Sequence, residues 1–320
     1  MPDGLAAARS LGLDLEGAGV PFRGIRFCGG AGHSVEAGFP AGRGMGLRRT
    51  TLHEIMVDHA ARAGVKMAWG VRVTGLGPRG VMADGRTVKA RWIVGADGGH
   101  SAVRRWAGLD ACARDSRRYA FRRHYRIAPW SEFMEIHWGA GCQLYITPVA
   151  ASEICVVLIS RNQRLRLDEA LPQFPEVQRR LAAAPAATLE RGGVSASRRL
   201  KAVYRGNVAL AGDASGSVDA ITGEGLCLLF QHAVALAEAF ERNDLAYYQA
   251  GHRKAGKRPA MMADLMLLMD GRRRLRQRAL QAMSANPRLF ARMLALHVGV
   301  FSFKDLIANG LALGWQMLTV

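Results

Sequence analysis

NVALAGDASGSVDAITGEGLCLLFQHAVALAEAF, residues 207–240, changes texture twice along its length. Val208–Ala211 is a short apolar run, suited to a buried strand. Gly212 to Glu224 mixes glycines with polar residues, which reads as a loop. From Gly225 an apolar stretch continues to Phe240 without Gly or Pro, long enough for a helix of several turns. Asp213 therefore stands at the C-terminal end of a strand, where α/β sheets bind ligands. Its carboxylate can accept hydrogen bonds from sugar-like hydroxyls. Gly212, Gly223 and Gly225 allow backbone to come close to a bound group. The helix start over Gly223–Leu226 offers free N–H groups and the positive end of a dipole. The plain alternative is an ordinary strand–loop–helix connection, against which the loop length and glycine placement argue.

A second segment, RWIVGADGGHSAVRRWAGL at 91–109, has the same order. Trp92–Val94 is the strand, GADGG the turn, and Ser101–Ala107 a helix start. Alone it is ambiguous. Asp97 and Gly98 could face a ligand, or Asp97 could simply cap the next helix in a tight turn.

The rest of the chain places these segments. Residues 3–14 read as a helix, and GIRFCGGAGHSVEAGF as a hairpin around a Gly-rich turn. Thr51–Ala63 carries apolar residues at helical spacing and stops at Gly64. VKMAWGVRVTGL reads as strand material, and GVMADGRTVKA as a hairpin with an Asp-Gly turn. Between about Tyr119 and Ser160, YAFRRHYRI, FMEIHW, CQLYITPV and EICVVLIS predict an antiparallel meander with one polar and one apolar face. Asp168–Ala184 predicts a polar-faced helix. After Asp244 the chain reads helical, with Met261, Met262, Leu265, Met266 and Met269 on one stripe and a break at Pro287. A β insertion between the halves of one α/β unit explains this order, and brings the segments around Asp97 and Asp213 together in space.

Jointly the segments resemble the DG and GD motifs of the FAD-dependent superfamily of p-hydroxybenzoate hydroxylase-type monooxygenases, geranylgeranyl reductases and flavin-dependent halogenases. GLRRTTLHEIMVDHAARAGV is similar to the Arg-x-x-Leu helix of that superfamily, with Arg49 and Leu52 at the matching positions. The resemblance covers nearly the whole chain. It implies an FAD-dependent oxidoreductase with NAD(P)H as electron donor and a hydrophobic small-molecule substrate. By the same resemblance Asp213 binds the FAD ribityl chain, and Gly223, Gly225 and Leu226 lie near the flavin pyrimidine edge. Asp97 and Gly98 support FAD and the nicotinamide donor, and Arg49 faces the cofactor. Hydroxylases carry His, Pro and Asn where this sequence has Gly216, Ala220 and Cys227. SVDAITGEG is closer to the geranylgeranyl reductase pattern, so alkene reduction and halogenation stand beside monooxygenation.

The implied fold class is α/β: an incomplete Rossmann-like FAD-binding domain with an inserted antiparallel β-sheet substrate domain and a helical C-terminal region. The expected partition is 1–113 for a partial FAD-binding domain, 114–200 for the substrate sheet, and 201–320 for the GD motif and C-terminal helices. The superfamily opens with a strand, GxGxxG and a helix. No such fingerprint occurs here, and Gly29-Gly30-Ala31-Gly32 does not open a helix. The expectation is that Met1 is an internal methionine of a longer protein. An inactive remnant or non-catalytic binding module is the alternative of another class.

Composition sets the outer bounds. The 320 residues are 49% hydrophobic and 22% charged, ordinary for a globular chain with a sizeable core. The formal charge is +18, and residues 251–320 hold 12 Lys or Arg against 3 Asp. No aromatic residue interleaves the run Arg272–Arg278 and no recognition motif accompanies it, so no nucleic acid partner is expected. Peripheral membrane contact through the basic C-terminal helices is set against a Met stripe that simply faces the core. The uncharged run Leu306–Val320 is 15 residues, short of a membrane span. The 5 scattered cysteines form no CxxC pair, which argues against zinc and for a reducing, cytoplasmic setting. No metal site is expected. The sequence assigns no catalytic acid or base, no substrate identity and no oligomeric state.

Overall fold

The computed structural model describes residues 1–29, 32–77 and 80–300. Gly30 and Ala31 of the Gly-rich turn, and the run Leu306–Val320, lie outside the described residues.

The chain opens with α1 (Pro2–Ser10), then β1 (Val20–Phe22), β2 (Gly24–Cys28), β3 (Ser34–Gly38) and β4 (Gly44–Gly46). β2 and β3 form the expected hairpin, with Gly24 opposite Gly38 and Cys28 opposite Ser34. α2 (Arg49–Arg62) buries Leu52 and ends before Gly64, whose φ of +79° is left-handed. β5 (Val73–Gly77), β6 (Gly80–Ala83) and β7 (Arg86–Lys89) make a small antiparallel sheet. Asp84 and Gly85 turn between β6 and β7 with φ of +46° and +75°, the sign a two-residue hairpin turn requires. Strand structure begins only at Val73. Val65, Trp69 and Val71 are exposed, because β-prone residues without a partner strand have no ladder to join.

β8 (Ile93–Gly95) leads to the short α3 (Ala102–Trp106). Then come β9 (Cys112–Tyr125), β10 (Phe133–Trp138), β11 (Cys142–Ala150) and β12 (Glu153–Ser160), α4 (Leu167–Ala170), α5 (Pro175–Leu181) and β13 (Arg191–Leu200). The helix expected over 168–184 is thus broken, with a 3-10 turn at Leu171–Gln173 and Pro175 starting the second piece. The large sheet has the order β13-β9-β12-β11-β10-β2-β3. It is not the simple meander expected, since β9 pairs with β12 and β13 rather than β10. The hairpin β2–β3 joins the sheet through a parallel pairing of β2 with β10. β2 and β3 thus belong to the same sheet as β9–β13.

Nor is one face of this sheet polar. Along β11, Gln143, Leu144, Tyr145 and Ile146 are all buried. Leu144 and Ile146 face one core with Leu158, Leu167, Phe174 and Val177. Tyr145, on the opposite side by strand alternation, joins Ile136, Met266, Leu280 and Phe290 in another. Covering elements on both faces remove the alternation that a half-solvated sheet would show.

After the sheet come β14 (Tyr204–Arg205), β15 (Val208–Leu210), α6 (Gly225–Glu241), α7 (Leu245–Gly271), α8 (Arg273–Ala285) and α9 (Pro287–His297). β15 pairs in parallel with β8, Val208 opposite Ile93 and Leu210 opposite Gly95. The sheet strands β9–β13 are inserted between two strands that are direct neighbours, as the sequence order implied. Met262, Met266 and Met269 of α7 point inward, so the methionine stripe belongs to the core. Among the described residues, no helix is long and apolar enough to cross a membrane.

Candidate functional site

The parallel pair β8–β15 sets the loops after both strands side by side. Ala211 N donates to Gly95 O at 2.9 Å. The tie is completed by Arg104, which is 1% exposed. Its Nη1 donates to Ala214 O at 3.1 Å, its Nη2 to Gly99 O at 2.8 Å and its Nε to Asp110 at 2.7 Å. One buried guanidinium thus holds a carbonyl from each loop. In the sequence the sole signal for Arg104 is its position three residues past Ser101, inside the helix start.

Asp97 serves its own helix. Its carboxylate accepts from Ser101 Oγ, from Ala102 N at 2.6 Å and from Val103 N at 3.1 Å. Ser101 Oγ in turn accepts from Arg104 N at 2.9 Å, the N-cap of α3. Burial, the largest single influence, works to raise the Asp97 pKa. The hydrogen bonds from Ser101, Val103 and Ala102 outweigh it and hold the carboxyl below its ordinary range. Of the first motif, the backbone is what remains for a ligand. Gly98 has φ +77° with open space where a side chain would project.

The second loop presents more. Asp219 caps a 3-10 turn by accepting from Ile221 N at 3.0 Å. Tyr145 Oη donates to Ile221 O at 2.6 Å, which pins this loop to the large sheet. Gly223 follows with φ +68°, and both Gly223 and Gly225 are exposed with open space on the Cβ side. Gly212 has φ +58°, where any other residue would be strained. Asp213 is exposed, and its carboxylate accepts no side-chain or backbone hydrogen bond from the described residues. Arg49 lies at the start of α2 on the same side. Loss of solvation lowers its pKa, while the Asp213 carboxylate pulls the other way. Arg48 beside it pairs with Glu153 and fastens α2 to β12. Leu226 lines an open cleft with Met45, Leu47, Leu52, Cys227 and Phe230.

This set fits the group the sequence implies. FAD needs an acceptor for its hydroxyls, bare backbone beside its ring and a positive helix end. Asp213, the open glycines and the start of α6 supply these in turn. Arg49 feels the Asp213 carboxylate, Leu226 lines the cleft with Leu52 of α2, and Arg104 ties the loop after Asp97 to the loop after Asp213.

A second, apolar pocket has Thr222 of the same loop in its wall. Phe27, Ile136, Met266 and Phe290 line it, together with Thr222 and His297. Tyr145, His124 and His137 carried no expected role. Tyr145 holds the loop, His124 contacts Thr188 and His137 contacts Glu135.

Comparison with known proteins bears on the family and the fold. Residues 22–139 match the FAD binding domain family. The chain is 28% identical over 226 residues to the FAD-dependent urate hydroxylase of Klebsiella pneumoniae subsp. pneumoniae, an alignment covering 61% of this chain and 56% of that protein. It therefore spans a little over half the length of that curated relative. Among solved structures, Klebsiella pneumoniae HpxO complexed with FAD and uric acid superposes with a TM-score of 0.67 at 20% identity, covering 99% of this chain and 86% of that one. The flavin-dependent brominase Bmp2 superposes with a TM-score of 0.69 at 17% identity, covering 98% and 86% respectively. At these identities the superpositions speak for the fold.

Proposed function

We propose that this chain is a member of the FAD-dependent hydroxylase-type superfamily and works as an FAD-dependent oxidoreductase on an apolar small molecule, with NAD(P)H as the electron donor. The observation that carries this reading is the placement of the Thr222–Leu226 loop. Thr222 stands in the wall of the methionine-lined pocket, and Leu226, four residues on, lines the cleft with Leu47 and Leu52. A flavin supported by Asp213, Gly223 and Gly225 would present its ring to a substrate held among Phe27, Ile136 and Met266. FAD, when bound, supplies the redox chemistry. The chain's own groups bind, orient and exclude water. Arg104 and Tyr145 fix the two loops, and the apolar cavity wall keeps solvent from the reacting face.

The test is direct. The purified chain should show flavin absorbance or take up added FAD. NADPH consumption with oxygen uptake, stimulated by an apolar aromatic compound, supports monooxygenation. A folded, colourless protein that FAD does not stabilise would overturn the reading. Alkene reduction is the second reading, favoured by VDAITGEG at 218–225. It predicts NADPH consumption without oxygen uptake.

Two substitutions probe the cofactor site. Asp213→Ala removes the exposed acceptor and should weaken FAD binding about ten- to hundredfold in a fluorescence titration, as loss of a charged hydrogen bond does. An affinity within about twofold of the parent would remove Asp213 from the site. At Gly225 a side chain meets no protein atom within 4 Å. Gly225→Val should therefore change stability by less than about 1 kcal/mol while abolishing FAD uptake.

A further inference from the structure

The methionine-lined cavity is apolar except at one end, where Thr222 and His297 enter its wall. His297 is the last residue of α9 and is 5% exposed. Its Nδ1 is buried and has no hydrogen-bond partner. Behind it stands Glu224, 2% exposed, at the N-cap of α6. Glu224 Oε2 is also buried without a partner, 3.8 Å from His297 Nδ1. The other charged groups around Glu224 are Arg258, at 4.0 Å, Asp3, which Arg258 contacts at 2.8 Å, and the amino group of Met1. Two unpartnered polar atoms facing each other in a core are costly unless something completes them.

We propose that His297, oriented by Glu224, is the polar anchor of this cavity and binds the hydroxyl of an otherwise apolar, uncharged ligand such as a phenol. This rests on the oxidoreductase reading only for its consequence, substrate choice. The binding site itself stands on the cavity and the pair.

The chemistry follows from protonation. Burial pushes the Glu224 carboxyl up to about 8, so at neutral pH it carries a proton it can donate. Burial pushes His297 down to about 4, so its ring is neutral. A small ring rotation closes the gap, and Glu224 then donates to Nδ1. That fixes the tautomer with the proton on Nε2, a donor for a ligand oxygen. A carboxylate ligand would enter an apolar box with no cation lining it, and burying an unpaired charge is unfavourable. Glu224 is a positioning residue here, and His297 the one that touches ligand.

Calorimetric binding to the purified chain tests this with 4-pentylphenol, pentylbenzene and 4-pentylbenzoate. The phenol should bind about three- to tenfold more tightly than pentylbenzene, the value of one hydrogen bond, and the benzoate least. His297→Phe should keep pentylbenzene binding and lose the preference for the phenol. Glu224→Leu should reduce that preference, and Glu224→Gln, whose amide can still donate, should restore it. Equal affinity for the phenol and pentylbenzene, measured on the parent chain alone, overturns the proposal. So does a preference that survives His297→Phe. FAD titration of the same samples separates the two readings. Phenol selectivity without flavin uptake sinks the oxidoreductase and keeps the anchor, whereas flavin uptake without selectivity does the reverse.

Discussion

Arg118→Ala should destabilise the protein by about 3–5 kcal/mol, the cost of stranding a buried carboxylate. Arg118 lies on β9 and its side chain is 2% exposed; that of Asp270, near the end of α7, is 3% exposed. The two are directly hydrogen-bonded. Arg118 Nη1 also donates to Gln143 Oε1 at 3.0 Å, and Gln143 donates to Asp270. Asp219 sits 3.9 Å from Arg118 Nε. One guanidinium thus joins β9, β11, the end of α7 and the loop before Gly223. Arg161, 63% exposed and 3.7 Å from Asp270, is too solvated to replace it. Removing Arg118 also leaves Asp219, already raised by burial, without its buried cation. The Ile221 cap should then loosen, and FAD affinity should fall with stability. Urea unfolding measures the first effect and flavin titration the second. A loss below about 1 kcal/mol would show that the network is not a clamp. The double variant Arg118→Met with Asp270→Leu should recover much of the loss, since apolar replacements leave no charge stranded.

Stability should peak near pH 6.5 and fall steeply in acid, because the fold buries neutral histidines. Burial lowers His232 to about 3, and His252 and His297 to about 4, from an ordinary 6.5. The rings of His232 and His252 stack at 3.9 Å, so a charge on one disfavours a charge on the other. Below about pH 6.5 the unfolded chain takes up these three protons and the folded chain does not, so stability falls as pH falls. Glu224 acts with the opposite sign. Its carboxyl is raised from 4.5 to about 8, so between those values only the folded chain holds that proton, and stability falls as pH rises. Between about pH 4.5 and 6.5 the histidines dominate, with a limiting net slope of about 2.7 kcal/mol per pH unit. Above that window Glu224 alone gives a gentler decline. Thermal melts across the range check both arms, and Glu224→Gln should flatten the alkaline one. A melting temperature unchanged between about pH 5 and 6.5 would contradict neutral burial of the histidines. His252 also contacts Ser215 at 3.0 Å, so acid opening should release flavin as well.

Local signals determined much of this protein. The strand–loop–helix over 207–240, the Asp-Gly turn at 84–85, the start of α9 at Pro287 and the pairing of two Gly–Asp segments across an insertion were legible, because each depends on residues near in sequence. The expectation that Arg49 lies with Asp213, Gly223 and Gly225 came from the family resemblance rather than from any local signal. Other features needed the tertiary structure. Residues 65–72 have strand composition but no partner. The central strands of the large sheet are buried on both faces, by α4 and α5 just after β12 on one side and by α7–α9 from far along the chain on the other. The hairpin β2–β3 joins that sheet by a parallel pairing that no local pattern specifies. Asp97 could have bound a ligand or capped a helix, and only the folded geometry shows its carboxylate holding Ser101, Ala102 and Val103. Arg104, Arg118 and the facing atoms of Glu224 and His297 were likewise invisible. Their meaning lies in what burial does to a charge, and burial belongs to the whole fold rather than to any stretch of sequence.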